Sequence, residues 1–168
     1  MPGAGKTTLA RALGGRLGLP VVEKDALKEA MYDTLGVGDV AWSQRLGGAS
    51  YALIFAVARA LLAAGQPLVA EATFFRGHDE SRFAALPPHR LVQVHCTAPL
   101  EVLVERYAAR EPRHPGHLDG DRVQELRGRH AGGLNGPLDL DGTLIELDTT
   151  TAPPEELAAR VAAAVALR

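Results

Sequence analysis

Apolar residues recur along the chain in two periods. Leu9, Leu13 and Leu17 stand four apart and predict a helix from about Lys6 to Leu17 with one buried stripe. Leu19-Pro20-Val21-Val22 is a short apolar run ending at Glu23, the pattern of a buried strand. A helix from Asp25 to about Leu35 follows, stopped by Gly36 and Gly38, and a long helix spans roughly Trp42 to Ala64 with Gly65 behind it. Pro67 to Ala70 and Arg90 to Cys96 read as further buried strands, followed by helices near His78 to Leu86 and from Pro99 to Arg110. Glu111 to Gly120, rich in Pro, Gly and His, reads as a loop ahead of a polar helix from Asp121 to about Ala131. Thr143 to Leu147 is the last strand and Pro153 to Leu167 a terminal helix. Strands separated by helices predict an α/β fold in three layers, with helices on both faces of a parallel sheet.

Composition narrows this little further. At 168 residues, 46% hydrophobic and 23% charged, the chain suits one globular domain spanning residues 1–168, and a disordered or collagen-like chain is excluded. The formal net charge of −2 gives no global field toward a polynucleotide or an anionic membrane. Cys96 is the single cysteine, so no internal disulfide can form, which fits a reducing cytoplasm. The most apolar stretch, Tyr51 to Ala64, is interrupted by Arg59 and falls short of the ~20 residues of a membrane helix. The first residues lack the pattern of a secretory leader. The expectation is a cytoplasmic protein without a membrane span, of undetermined oligomeric state.

The sharpest chemical signal is Pro2-Gly3-Ala4-Gly5-Lys6-Thr7-Thr8, which matches the end of the pattern G-x-x-x-x-G-K-[ST]. Glycines let backbone N–H groups wrap an anion without Cβ clashes, and the helix that follows aims its positive end at the same point. Gly3, Ala4, Gly5, Lys6, Thr7 and Thr8 are therefore expected to bind nucleotide phosphates, with Lys6 on the β- and γ-phosphates and Thr7 on Mg²⁺. The motif's first glycine would stand one place before Met1, and the strand that normally leads into the loop is missing as well. That strand is central in such folds, and its loss leaves two open ladder edges and a hole in the core. Met1 is thus expected to be an internal methionine of a Gly-Met-Pro-Gly-Ala-Gly-Lys-Thr loop.

With these motifs the chain resembles the small P-loop kinases of the AAA-type predicted-kinase group, which includes the 5′-kinase domain of polynucleotide kinases, the chloramphenicol phosphotransferases and the zeta toxins. The resemblance implies that Asp25, in Glu23-Lys24-Asp25-Ala26-Leu27-Lys28, is the general base for an acceptor hydroxyl, and that Lys28 binds an anionic group of the acceptor. The chemistry stands without the family too, since a carboxylate there can orient an acceptor hydroxyl and take its proton, and the alternative is that Asp25 is only a helix N-cap. Leu68-Val69-Ala70-Glu71 looks like a Walker B strand, with Glu71 where relatives carry Asp, near the magnesium. Phe74 and Phe75 either line the acceptor pocket or belong to the core. Arg106 and Arg110 share a helix face and are similar to lid arginines that offset charge on the transferring phosphoryl group, with 111–120 as the lid. Asp148-Thr149-Thr150 falls where relatives bind the base. His114, His117 and Asp119 could suggest a metal site, but the intervening Pro and Gly suit a loop and no cysteine supports closed zinc coordination. Cys96 reads as a core residue.

The function this implies is ATP- and Mg²⁺-dependent phosphoryl transfer to a hydroxyl of a small molecule. Two rivals stay open at this point: a polynucleotide 5′-hydroxyl kinase, disfavoured because no basic, aromatic-studded groove is evident, and a non-catalytic ATP-binding regulatory module.

Overall fold

The structure, a computed structural model, describes residues 1–109, 114–117, 127–128 and 136–166. The elements run α1 (Lys6–Leu17), β1 (Val21–Glu23), α2 (Lys24–Leu35), α3 (Val40–Ala63), β2 (Val69–Glu71), α4 (Glu80–Ala84), β3 (Val92–Thr97), α5 (Leu100–Ala108), β4 (Thr143–Asp148) and α6 (Pro154–Ala166). The alternation is the expected three-layer α/β/α order. The polar helix expected from Asp121 to Ala131 lies outside the described residues apart from 127–128.

Element ends follow local chemistry. Gly18 closes α1 in the left-handed conformation, its N–H returning to the Gly14 carbonyl. α3 starts two residues earlier than the apolar pattern suggests because Asp39 caps it, its carboxylate accepting from the Trp42 N–H at 2.8 Å. The Trp42 indole N–H donates to the Gly36 carbonyl at 3.0 Å, tying the α2–α3 turn together. At 24 residues α3 is also long and apolar enough, by length and composition, to cross a bilayer, which corrects the expectation that no segment is. Here it packs on α2 and sends Leu46, Ile54, Phe55 and Ala58 into the interior.

The sheet comes in two halves. β1 and β2 pair in parallel with Val21 opposite Val69, and β3 and β4 pair in parallel with Val92 opposite Thr143. Around β3 and β4, Leu9 and Leu13 of α1, Leu103 of α5, and Leu157 and Val161 of α6 form the main apolar core. Between the halves, no strand among the described residues pairs with the free edge of β2 or of β3. A groove of about 580 Å³ lies there, with Val69 to Glu71 on one wall and Val92 to Cys96 on the other. Leu9, Leu13, Ile54, Phe55, Ala58 and Val161 line it from helices, and Met1 and Lys6 stand within it. A strand placed here would lie between the two open edges. The groove's walls are apolar because a strand buried on both faces needs apolar contact above and below.

Candidate phosphate-binding site

Residues 2–5 turn tightly into α1. Gly3 and Gly5 have φ of 80° and 71°, conformations that side chains with a Cβ resist. A Cβ on Gly3 would also come within 2.7 Å of the Leu103 carbonyl oxygen, so the loop backbone lies directly against α5. Among the described residues no side chain caps the N-terminus of α1, and the positive end of its dipole favours an anion there. Lys6, the first residue of α1, donates from Nζ to the Met1 carbonyl at 2.7 Å, back across the loop. The Ala4 N–H reaches the same carbonyl at 3.4 Å. One oxygen therefore collects the donors expected to serve a phosphate.

Glu71, the last residue of β2, meets this loop from the sheet side. Burial is the main influence on its carboxyl and pushes its pKa above the usual carboxylate range. The Lys6 ammonium and the nearby Thr7 hydroxyl pull it down, while the Asp25 and Glu23 carboxylates push it up. The electrostatics thus gather Lys6, Thr7, Asp25 and Glu71 at one mouth, at the carboxyl ends of β1 and β2. In an open α/β sheet that is where a ligand binds. A hydroxyl and a carboxylate are hard oxygen donors of the kind Mg²⁺ takes, and Mg²⁺ is commonly held by one or two protein oxygens plus phosphates. No cluster of three His, Cys, Asp or Glu side chains able to hold a metal exists among the described residues.

Asp25 lies in the first turn of α2. The helix begins at Lys24 with Glu23 at the cap position, so the alternative reading of Asp25 as an N-cap is corrected. Lys24 Nζ donates to Asp25 Oδ1 at 2.9 Å and sits 5.7 Å from the centre of the Tyr51 ring. Tyr51 in turn donates its hydroxyl to the Thr73 carbonyl. One turn beyond Asp25, Lys28 is buried at 7% exposure, donating to Ser43 Oγ at 2.9 Å with its ammonium 5.3 Å from the Tyr32 ring centre. The Tyr32 hydroxyl donates to the same Ser43 oxygen at 2.7 Å.

Of the expected lid, 111–113 and 118–120 lie outside the described residues, as do Arg110 and Asp119. The remaining piece, 114–117, rests on α2. His114 pairs with Asp33 at 3.0 Å and stacks on Tyr32, and His117 pairs with Glu29 at 2.8 Å. Arg106 faces the outer side of the phosphate loop, with its guanidinium on Thr149 and the Gly3 carbonyl. Phe74 packs edge-on against Tyr51, Phe55 and Phe83, in an aromatic cluster. Cys96 is buried in the main core, and burial raises its thiol pKa.

Several groups at the site carry no motif in the sequence. Tyr32 stands four residues after Lys28, so helical spacing alone could have placed it beside that lysine. Ser43 comes from a different helix and left no signal. Arg11 holds the end of β1 by two bonds of 2.7 Å to the Glu23 carboxylate, a pairing that depends on how α1 packs beside β1.

A glycine-rich turn into a helix, beside the carboxyl ends of parallel strands and facing an acid, defines a P-loop nucleotide-binding α/β domain of kinase-like fold. The chain belongs to the AAA domain family, whose model matches residues 1–132. It is similar, at 35% identity, to the crystal structure of a "putative kinase" from Chloroflexus aurantiacus J-10-fl, with a TM-score of 0.86 over 95% of this chain and 91% of that one. A sugar kinase from Janibacter sp. HTCC2649, solved unliganded, shares the fold at 22% identity, with a TM-score of 0.67 over 96% of this chain and 87% of that one. Among curated proteins none matches.

Proposed function

We propose that the protein is a kinase that uses ATP and Mg²⁺ to phosphorylate a hydroxyl group of a small molecule. The observation that carries this reading is the meeting of the phosphate loop with the strand ends: Lys6 and Glu71 line one groove, and Asp25 opens α2 beside Glu23, the residue paired with Glu71. The amides of Gly3 to Thr8 and the Lys6 ammonium bind the phosphates and neutralise charge on the group in transfer. Thr7 and Glu71 would hold Mg²⁺, which would offset negative charge on the phosphates.

Asp25 orients the acceptor. Its carboxylate accepts the hydroxyl proton as the acceptor oxygen bonds to the γ-phosphorus and the bond to the β-phosphate oxygen breaks, giving the phosphorylated acceptor and ADP. Lys24 holds one oxygen of that carboxylate. Lys28, buried one turn further on, offers its charge to an anionic group of the acceptor, and Phe74 would line the acceptor side. A small acceptor suits the net charge of −2, which provides no attraction for a polynucleotide. A lone, buried, unbridged cysteine suits a cytoplasmic setting.

The test is ADP production with a panel of sugars, nucleosides and other small alcohols. Turnover with one acceptor class, lost in Asp25→Asn while ATP affinity persists, supports the kinase. Tight ATP binding with no turnover on any acceptor contradicts it.

A further inference from the structure

We propose that Thr149 and Arg106 are positioning residues that hold the phosphate loop in its anion-binding shape. This rests on reading residues 2–8 as a phosphate cradle.

Thr149 follows β4 directly and is 9% exposed. Its N–H donates to the Thr97 carbonyl at 2.9 Å, and its hydroxyl donates to the same carbonyl at 3.2 Å. The hydroxyl oxygen also accepts from Arg106 Nη1 at 2.8 Å, and the Thr149 carbonyl accepts from Nη2 at 3.1 Å. The side chain is thereby fixed in orientation, and its aliphatic side supports the loop. A Cβ on Gly5 would lie 3.4 Å from the Thr149 Cβ, so the threonine occupies the space behind the glycine that opens α1. Arg106 continues the wall, since Nη1 also reaches the Gly3 carbonyl at 3.5 Å. Leu103, one turn earlier on α5, backs Gly3 itself.

The geometry gives this wall a role in binding. In a trans peptide the carbonyl and the following N–H point in opposite directions. Holding the Gly3 carbonyl outward on the guanidinium therefore turns the Ala4 N–H inward, to where it meets the Met1 carbonyl together with Lys6. The two residue types are matched to the task. A threonine supplies a hydroxyl that donates and accepts at once and a methyl to pack, while the arginine fork serves Thr149 with both nitrogens and Gly3 with one. A lysine ammonium cannot span that set.

The experiment is equilibrium binding of Mg–ATP and of inorganic triphosphate, which touches the loop but has no base, to wild type, Thr149→Val, Thr149→Ser and Arg106→Lys, with Tm recorded for each. The expected result is a loss of about tenfold in affinity for both ligands in Thr149→Val and Arg106→Lys, with near-wild-type binding in Thr149→Ser. A loss for ATP with triphosphate affinity unchanged overturns the proposal, because the residues would then serve the nucleoside. Wild-type affinity for both ligands in folded Thr149→Val and Arg106→Lys overturns it too. Should Thr149→Val not fold, Arg106→Lys and Thr149→Ser carry the same comparison. A wild-type protein that binds neither ligand refutes the phosphate cradle, and the proposal with it.

Discussion

Thr7, in the first turn of α1, stands close enough to Glu71, the last residue of β2, for its hydroxyl to ease the charge on that carboxylate. This puts an acid at the foot of the phosphate loop, where burial penalises its charge and Lys6 compensates in part. A cation bound there relieves the remaining penalty.

Glu71→Gln keeps an acceptor for Thr7 while removing the charge. ATP affinity in the presence of Mg²⁺ is expected to fall about tenfold, and in EDTA the variant and wild type are expected to bind ATP alike. Titration calorimetry under the two conditions checks this. An equal loss in EDTA would mean that Glu71 supports the loop without any part in holding the metal.

Lys28→Met keeps the length and apolar stem of the side chain and deletes the ammonium held by Ser43 and Tyr32. With the acceptor in hand, its KM is expected to rise about ten- to hundredfold, the range of a charged hydrogen bond, while KM for ATP is unchanged. A shift in the ATP constant instead would place Lys28 on the nucleotide side.

The groove between β2 and β3 calls for a strand. An aliphatic segment of five or six residues appended ahead of Met1 would pair with both open edges and cover Leu9, Ile54 and Val161. A gain of about 3 kcal/mol, modest for two ladders and several buried side chains, corresponds to a rise in Tm of ~6–12 °C. Binding of an apolar dye should fall in parallel. An equally long proline-containing extension should do neither, and identical Tm values for the two extensions would show that the groove does not accept a strand.

His95 on β3 lines the same groove, and its pKa is held below the ordinary imidazole value of about 6.5. Burial is the main cause, aided by Lys6 and opposed by Glu146. As pH falls below that value the unfolded chain takes up the proton before the folded one does. The stability His95 confers is therefore full above its unfolded pKa and is lost as pH falls through its folded pKa. Wild-type Tm should drop more steeply from pH 7 to pH 5 than that of His95→Gln, measured by thermal melts. Parallel slopes would mean that His95 titrates alike in both states.

Much of this arrangement is legible in the sequence because it is local. Gly3 to Thr8 encode a loop and a helix start in consecutive residues, and the leucines of α1 encode the face that buries it. The open edges of β2 and β3 agree with the expectation, reached by counting back along the motif, of a strand ahead of the loop. Pairings between distant elements were hidden. Nothing in Arg106 indicates that it meets Thr149, 43 positions away, and nothing in Ser43 that Lys28 and Tyr32 converge on it. Residues that cap rather than pack were also easy to miss: Asp39 sets the start of α3 by one hydrogen bond, outside any apolar period.

The most direct measurement is calorimetric titration of Mg–ATP into wild type and Lys6→Ala. Lys6 now donates to the Met1 carbonyl, a contact it would exchange for phosphate oxygens. The account expects saturable one-to-one binding to wild type and a loss of about ten- to hundredfold in Lys6→Ala, with Tm little changed. Equal affinity of a folded Lys6→Ala, or no binding by wild type, would contradict it.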